Sequence, residues 1–411
     1  MSDNDVRLAI IGCGSIARRH LVAMEELQNR DHAGFVVTAV CDADEDSARG
    51  LAQELTDRFG VRPTVYADSR ELLEKEKIDG ADLCLPHGLH HTVTVDCLES
   101  GVHVLCEKPL GITIRAGRLM AETADRTGKI LATAVPHRLQ PGQRAAHWIF
   151  NHSGLMGTPQ SFFHHYTRPY VPPSTNEPLP PRVIWRQDRL RSGGGPVLDS
   201  GFHYCDSMRY FFGDVETVYA VARELKTGTP RLLGEAAEDT VFITFTFKSG
   251  VVGSWSWSLA APGEAHHNVI FHGSGGSLRD TTDSRFRIFH LFERRPGQRE
   301  AGVLTQADGT QYSLDELETM HLQSLSPQEK EYIFPGDTDD GFAIEIWDFL
   351  ETVRGNRARP EVDGWEGLRS LAIGEAIYES ALTGNVVAVD DVLSGRLSTF
   401  QDSIDAHWGL L

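Results

Sequence analysis

The chain has no long apolar run, no paired cysteines and no surplus of basic charge, and each absence excludes a class of protein. Without about 20 consecutive apolar residues, no helix can span a bilayer. The opening Met1-Ser-Asp-Asn-Asp5 is acidic and leads straight into an apolar segment, which predicts no signal peptide and a cytoplasmic protein. The six cysteines (Cys13, Cys41, Cys84, Cys97, Cys106 and Cys205) include no Cys-x-x-Cys pair. Four of them fall in or beside predicted strands of the first half, as small buried hydrophobes do in a reducing compartment, so no disulfide framework is expected. A net charge of −19 disfavours nucleic acid and anionic membranes, which both reward basic patches. Histidines do gather, at His87, His90 and His91, at His164-His165 and at His266-His267. Adjacent histidines point opposite ways on a strand, however, and no cysteine or carboxylate completes a set at ligand spacing. No metal site is expected.

What is present is 411 residues, 40% of them apolar and evenly spread, enough for two domains with proper cores. In the first half, apolar strands over 7–11, 35–41, 64–66, 82–85, 102–106 and 130–134 alternate with helical stretches. That alternation predicts βαβ units and a doubly wound parallel sheet over residues 1–137. In the second half, strands over 160–166, 215–224, 240–247, 251–259 and 267–272 follow one another with short turns. They predict an α/β domain over residues 138–411 with an open, mainly antiparallel sheet, its terminal helices free to pack back on the first domain. A proline-rich excursion spans 170–181, and 292–334 is polar with little pattern.

Gly12-x-Gly14-x-x-Ala17 follows the first strand and opens a helix. Gly12 permits the tight turn, Gly14 lets the backbone approach a pyrophosphate, and Ala17 keeps helix and strand close. The amides around Cys13, Ser15 and Ile16 would attract phosphate charge. Asp42, at the tip of the second strand, can accept from a ribose 2′-hydroxyl and would repel a 2′-phosphate, which favours NAD over NADP. The bland alternative is a helix N-cap.

Two further segments carry proton-transfer chemistry. Val104-Leu-Cys-Glu-Lys-Pro109 sets Lys108 at the carboxyl end of a buried strand, with Glu107 to orient it and Pro109 to restrict its backbone. Gly193-Gly-Gly-Pro-Val-Leu-Asp-Ser-Gly-Phe-His-Tyr-Cys-Asp206 sets Asp199, His203 and Asp206 at i, i+4 and i+7, one face of a predicted helix. Ser254-Trp-Ser-Trp-Ser258 puts both tryptophans on one strand face, where burial or an interface outweighs sugar stacking.

These residues together resemble the glucose–fructose oxidoreductase / inositol dehydrogenase / MocA family. The matching elements are Gly12-x-Gly14-x-x-Ala17, Leu85-Pro86-x-x-x-His90, Glu107-Lys108-Pro109, Trp185-Arg186, Gly193-Gly-Gly195, Asp199-x-Gly201-x-His203-x-x-Asp206 and Phe349-Leu-Glu-x-Val-Arg-Gly355. Leu85 stands where threonine is common, and Val135-Pro-His-Arg138 is an unusual exit from the last strand. The resemblance implies a Rossmann domain carrying NAD(P) and an open sheet used for homo-oligomers, dimer or tetramer. It implies that Leu85, Pro86, His87, His90, Glu107, Lys108, Arg138, Trp185 and Arg186 contact cofactor. It further implies that Lys108, Arg138, Asp199 and His203 meet a small-molecule substrate.

Oxidising a secondary alcohol removes a hydride from carbon and a proton from oxygen. Imidazole exchanges protons near neutral pH, so His203 is the candidate base, with Asp199 to hold it and Lys108 to polarise the alcohol or relay the proton. The expected activity is an NAD-dependent dehydrogenase of a sugar, glycoside or cyclitol. The alternatives are an NAD-requiring glycoside hydrolase, which oxidises transiently and eliminates, and a sugar-sensing regulator without catalysis.

Overall fold

The structure, a computed structural model, describes residues 5–32, 34–169, 184–225, 231–232, 237–282, 290–293 and 301–411. The proline-rich segment 170–181 lies outside them. The chain divides into two compact units, Met1–Leu139 with Pro327–Leu368, and Gln140–Ser326 with Arg369–Gly409.

The first unit runs β1 (Val6–Ile11), α1 (Ser15–Asn29), β2 (Phe35–Cys41), α2 (Glu45–Phe59), β3 (Thr64–Tyr66), α3 (Ser69–Lys75), β4 (Gly80–Leu83), α4 (His90–Glu99), β5 (His103–Glu107), α5 (Ile114–Thr127) and β6 (Leu131–Ala134). Its six strands are all parallel, in the order β3-β2-β1-β4-β5-β6. The order reverses between β1 and β4, and in such sheets ligands bind beyond the carboxyl ends of the strands at that reversal. Strands covered by helices on both faces have little access to water, and β4 and β6 are buried at every position, Asp82 and Thr133 included. Helix α1 buries Ala17, His20, Leu21, Ala23, Met24 and Leu27, the three-and-four spacing of an inward stripe. Five of the six are apolar; the other is an ionisable imidazole. Helix Gly341–Val353 belongs to this unit, and Phe349 packs 3.1 Å from where a side chain on Gly80 would begin.

The second unit is built on a ten-stranded sheet. Its elements are β7 (Pro159–Thr167), β8 (Val215–Glu224), β9 (Arg231–Leu232), β10 (Thr240–Phe247), β11 (Val252–Ser258), β12 (His266–Gly273), β13 (Gly276–Asp280), β14 (Gly302–Gln306), β15 (Gln311–Ser313) and β16 (Val387–Ala388). The order is β15-β14-β13-β12-β7-β11-β10-β8-β16, with β9 on β8. Among the described strands of this sheet, only β7 and β11 pair in parallel. Alternation sorts the faces: Phe162, His164 and Tyr166 of β7 and Val241, Ile243 and Phe245 of β10 point inward. Helices Pro141–Asn151 and Gly201–Phe212 cover that inner face, with Phe150 and Phe211 ring centroids 5.1 Å apart and Phe162 stacked on Phe212 at 5.7 Å.

Trp255 and Trp257 are both buried on the inner face, so the aromatic stripe is core. Histidines 164 and 165 do point opposite ways. Burial drives the pKa of His164 well below its ordinary value, and it is a neutral core residue. All six cysteines are free and buried. No helix among the described residues is long and apolar enough to cross a membrane. The weakly patterned stretch after residue 292 holds β14, β15 and helix Leu314–Ser324, whose start is a capping box between Ser313 and Glu316.

Candidate active site

The glycine-rich loop is shaped by two close approaches. Gly12 has φ +93°, and a side chain there would begin 2.3 Å from the Cys84 carbonyl oxygen at the end of β4. Only glycine satisfies both demands. Gly14, by contrast, has nothing within 4 Å of its missing side chain, and it precedes α1 with no side chain capping the helix. Open space beside exposed amides at Ser15, with half-buried Ile16 behind, is a cradle that a pyrophosphate fits. The amide of Cys13 is already committed, donating to Asp42 Oδ2 at 2.7 Å, while Asp42 Oδ1 accepts from Asp44 N at 2.9 Å. The α2 cap is Asp44, which accepts from Asp46 N. Asp42 therefore ties the loop to the end of β2, and each of its oxygens retains a lone pair for a ribose hydroxyl.

Beyond β4 and β5 the candidates gather on the same edge of the sheet. Glu107 is buried, and its Oε2 accepts from the Lys108 backbone amide at 3.1 Å, fixing the residue that carries the half-buried amine. The Lys108–Pro109 peptide is cis. His90 bolts this turn to its neighbour, with Nδ1 2.8 Å from the Pro109 carbonyl oxygen and Nε2 3.0 Å from that of Leu85. Burial lowers its pKa against the pull of those two carbonyls. Both ring nitrogens thus face backbone carbonyls, and the neutral ring donates to one of them, so His90 shapes the site. His87 is buried beside it, ring centroids 5.7 Å apart, and Pro86 is half-buried. Arg138 is buried, 4.0 Å from Glu366.

In the second unit, Trp185, Arg186 and Asp199 come together. The Arg186 guanidinium lies 4.4 Å over the Trp185 ring, and its Nε is 3.2 Å from Asp199 Oδ2. The expected helical face needs one correction. The helix begins at Gly201, so Asp199 stands in the turn before it, its amide donating to the Gly195 carbonyl oxygen at 3.1 Å. His203 is buried in the first turn, and Asp206, further along, accepts from Ser370 Oγ at 2.8 Å. Asp206 is a structural partner of that serine.

The glycines of this turn have a tertiary cause. A side chain on Gly194 would begin 2.5 Å from Tyr378, and one on Gly195 would begin 2.3 Å from Glu238. Tyr378 accepts from Gly195 N at 2.8 Å and donates to Glu238 Oε1 at 3.0 Å, which also accepts from Val197 N at 2.8 Å. Burial pushes the Glu238 pKa up from 4.5 to about 7. Because the folded-state value is raised, stability is fully present below about 4.5 and falls as pH rises to about 7, by on the order of 3 kcal/mol. Glu238→Gln should therefore match the wild type at pH 4 and exceed it at pH 8, read from urea midpoints. A stability difference independent of pH would contradict a titrating Glu238.

One pair went unseen in the sequence. The ring of His290 meets that of His203 edge-on, centroids 5.8 Å apart, and its Nδ1 is 2.9 Å from Glu293 Oε2. His290-x-x-Glu293 sits between weakly patterned segments, and only its spacing could have marked it. Among the described residues, side chains close enough to hold a metal do occur, contrary to the sequence expectation, around the His290–Glu293 pair and around the buried His20 of the first unit. Both ring nitrogens of His20 already face carboxylates, so the imidazole itself occupies the place a cation would take.

The family description "Oxidoreductase family, NAD-binding Rossmann fold" matches residues 6–135, and "Oxidoreductase family, C-terminal alpha/beta domain" matches residues 152–389. The chain belongs to the glucose–fructose oxidoreductase / inositol dehydrogenase / MocA family. D-apiose dehydrogenase of Paraburkholderia graminis is 26% identical over 391 residues, 92% of this chain and 88% of that protein. Myo-inositol 2-dehydrogenase of Thermotoga maritima is 27% identical over 395 residues, 94% of this chain and 100% of that one. The solved structure of levoglucosan dehydrogenase in complex with NADH and L-sorbose shares the fold, with a TM-score of 0.70 at 23% identity over 94% of this chain and 99% of that one. In this member of the family, residues 327–368 fall within the C-terminal match yet pack with the Rossmann unit.

Proposed function

We propose that this protein is an NAD-dependent dehydrogenase that oxidises a secondary hydroxyl of a sugar, glycoside or cyclitol. The observation that carries the reading lies within the first unit. The open cradle at Gly14 follows β1, and Lys108 stands at the end of β5 on the same sheet edge, its backbone held by Glu107. The named activities of relatives such as D-apiose dehydrogenase and myo-inositol 2-dehydrogenase support the substrate class.

Bound NAD would supply the two-electron acceptor. Ser15, Ile16 and the start of α1 would hold its pyrophosphate, and Asp42 its adenosine ribose, favouring NAD over NADP. Lys108 polarises the reacting hydroxyl, and His203 takes its proton. Asp199, steadied by Arg186, binds a neighbouring hydroxyl or orients His203. Trp185, Arg186 and Arg138 contact cofactor or substrate.

Screening NADH formation at 340 nm against monosaccharides, glycosides and inositols tests the reading. Net NADH from at least one member supports it. Glycoside cleavage without net NADH would replace it with transient oxidation and elimination, and NAD binding without turnover of any compound would favour a sensor.

The outer face of the second sheet carries Phe163 (44% exposed), Tyr219 (44%), Phe242 (59%) and Val252 (48%). Their strands are neighbours in the order β7-β11-β10-β8, so the four share one face of the sheet, a patch interleaved with Ser254, Ser256 and Thr244. We assign this patch to contact with a second copy of the chain. Phe242→Asp should halve the mass measured by light scattering, or reduce it further; a monomeric wild type would contradict the assignment.

A further inference from the structure

His20 lies on the inward stripe of α1 and is fully buried. Five side chains from three other elements face it. From the β4 strand and its end, Asp82 Oδ2 is 2.9 Å from Nδ1, and the Cys84 sulfur is 3.8 Å from the same nitrogen. From β5, Glu107 Oε1 is 3.1 Å from Nε2. From helix Gly341–Val353, Glu345 Oε1 is 3.7 Å from Nε2, and the Phe342 ring stands edge-on at 5.7 Å. A carboxylate only accepts hydrogen bonds, so an imidazole between two of them must donate from both nitrogens.

The charges fit this arrangement. Burial, the largest single influence, would by itself strip the imidazole of its proton, but Asp82 and Cys84 together hold the His20 pKa well above the ordinary value. Burial drives the Glu345 pKa far upward, leaving a neutral acid there, and it keeps Cys84 a thiol. An imidazolium remains between Asp82 and Glu107, enclosed in the Rossmann core. An ion cluster this deep is a poor source of stability, so its use must be sought in what it orients.

What it orients is Glu107. One oxygen of that carboxylate accepts from His20 Nε2; the other accepts from the backbone amide of Lys108. Without His20, the Glu107 side chain is free to turn about its χ angles and release that amide. We propose that His20 is a positioning residue, donating from both nitrogens so that Asp82 and Glu107 lock the turn that aims Lys108. This rests on the reading of Lys108 as the group that meets the substrate hydroxyl.

Two near-isosteres separate the halves of the relay. In His20→Gln the amide nitrogen falls where Nε2 was and still donates toward Glu107. In His20→Asn it falls where Nδ1 was and reaches Asp82 only. Both leave buried carboxylates short of a cation, so a merely structural role predicts similar losses in melting temperature and no difference in turnover. Positioning predicts that kcat of His20→Gln stays within about threefold of wild type, while that of His20→Asn drops at least about tenfold with KM and NADH affinity nearly unchanged. Competitive acylation of Lys108 in the NAD-bound protein, followed by mass spectrometry, provides a readout that needs no substrate. Its rate should change at least about threefold in His20→Asn and hold in His20→Gln. Equal kcat or equal Lys108 labelling in the two variants would overturn the proposal. Failure to turn over any sugar, with the labelling difference intact, would instead refute the function while leaving the relay standing. Should both variants fail to fold, histidine-labelled wild-type protein decides: the His20 ring should remain doubly protonated at pH 8, and a neutral tautomer there would refute the relay.

Discussion

Lys108→Ala is expected to lower turnover at least about a hundredfold while leaving NAD affinity nearly intact. The substitution removes the amine but not the backbone amide, so Glu107 keeps its contact to residue 108 and the turn beyond β5 keeps its shape. A cofactor gripped at the far side of the sheet reversal, at Gly14 and Asp42, should register little of the change. Lys108→Arg sharpens the test, because a guanidinium polarises an oxygen but does not release a proton near neutral pH. Recovery in the arginine variant would assign the lysine to electrostatics, and a persistent defect would assign it to proton relay. Combining Lys108→Ala with His203→Ala asks whether residues from both units serve one reaction: groups acting as a unit give a double variant no worse than the poorer single one. Unchanged turnover in Lys108→Ala would end the role.

Asp42→Ala is expected to weaken NADH binding at least about tenfold and to bring NADPH closer to NADH in affinity. The structure adds a cost that the motif alone does not show. Asp42 holds the Cys13 amide at 2.7 Å, so its loss leaves a loop donor unpaired, a penalty of about 1–3 kcal/mol that falls on either cofactor. The 2′-position contributes a second effect of opposite sign for NADPH, since a carboxylate beside a phosphate repels it. Fluorescence titration with both reduced cofactors separates the two. Equal losses would reduce Asp42 to loop support; a narrowed ratio would confirm that it reads the ribose.

Local pattern carried much of the fold. β8 and β10 begin and end where alternation alone places them, because a strand with one wet face writes its period into the sequence. β2 and β3 do likewise, bounded by the turns beside them. β13, β14 and β15 are short and carry glycine and polar residues, so they leave too few positions for a period to emerge. Helix Leu314–Ser324 went unread in a stretch of weak apolar pattern, and only the capping box at Ser313-Leu-Asp-Glu316 could have marked its start. The helical face expected for Asp199 failed for a related reason. A spacing of four fits a tight turn as well as a helix, and the carbonyl of Gly195 collects the amides of Leu198 and Asp199 before the helix begins.

The amino-acid order by itself determined the family, the parallel and mainly antiparallel sheets, the glycine loop with Asp42, and which side chains are candidates for proton transfer. These are short-range properties, written in period, in turn residues and in motifs a few positions long. Tertiary structure alone decided what stands behind them. Tyr378 and Glu238 force glycine at 194 and 195 from far along the chain, His290 reaches His203 from a stretch with no pattern, and four acidic or thiol groups close around His20. Such contacts depend on where whole elements are placed relative to one another. An interior ionisable group looks, in sequence, like any other residue on a helix; its meaning comes from the charges that folding brings to it.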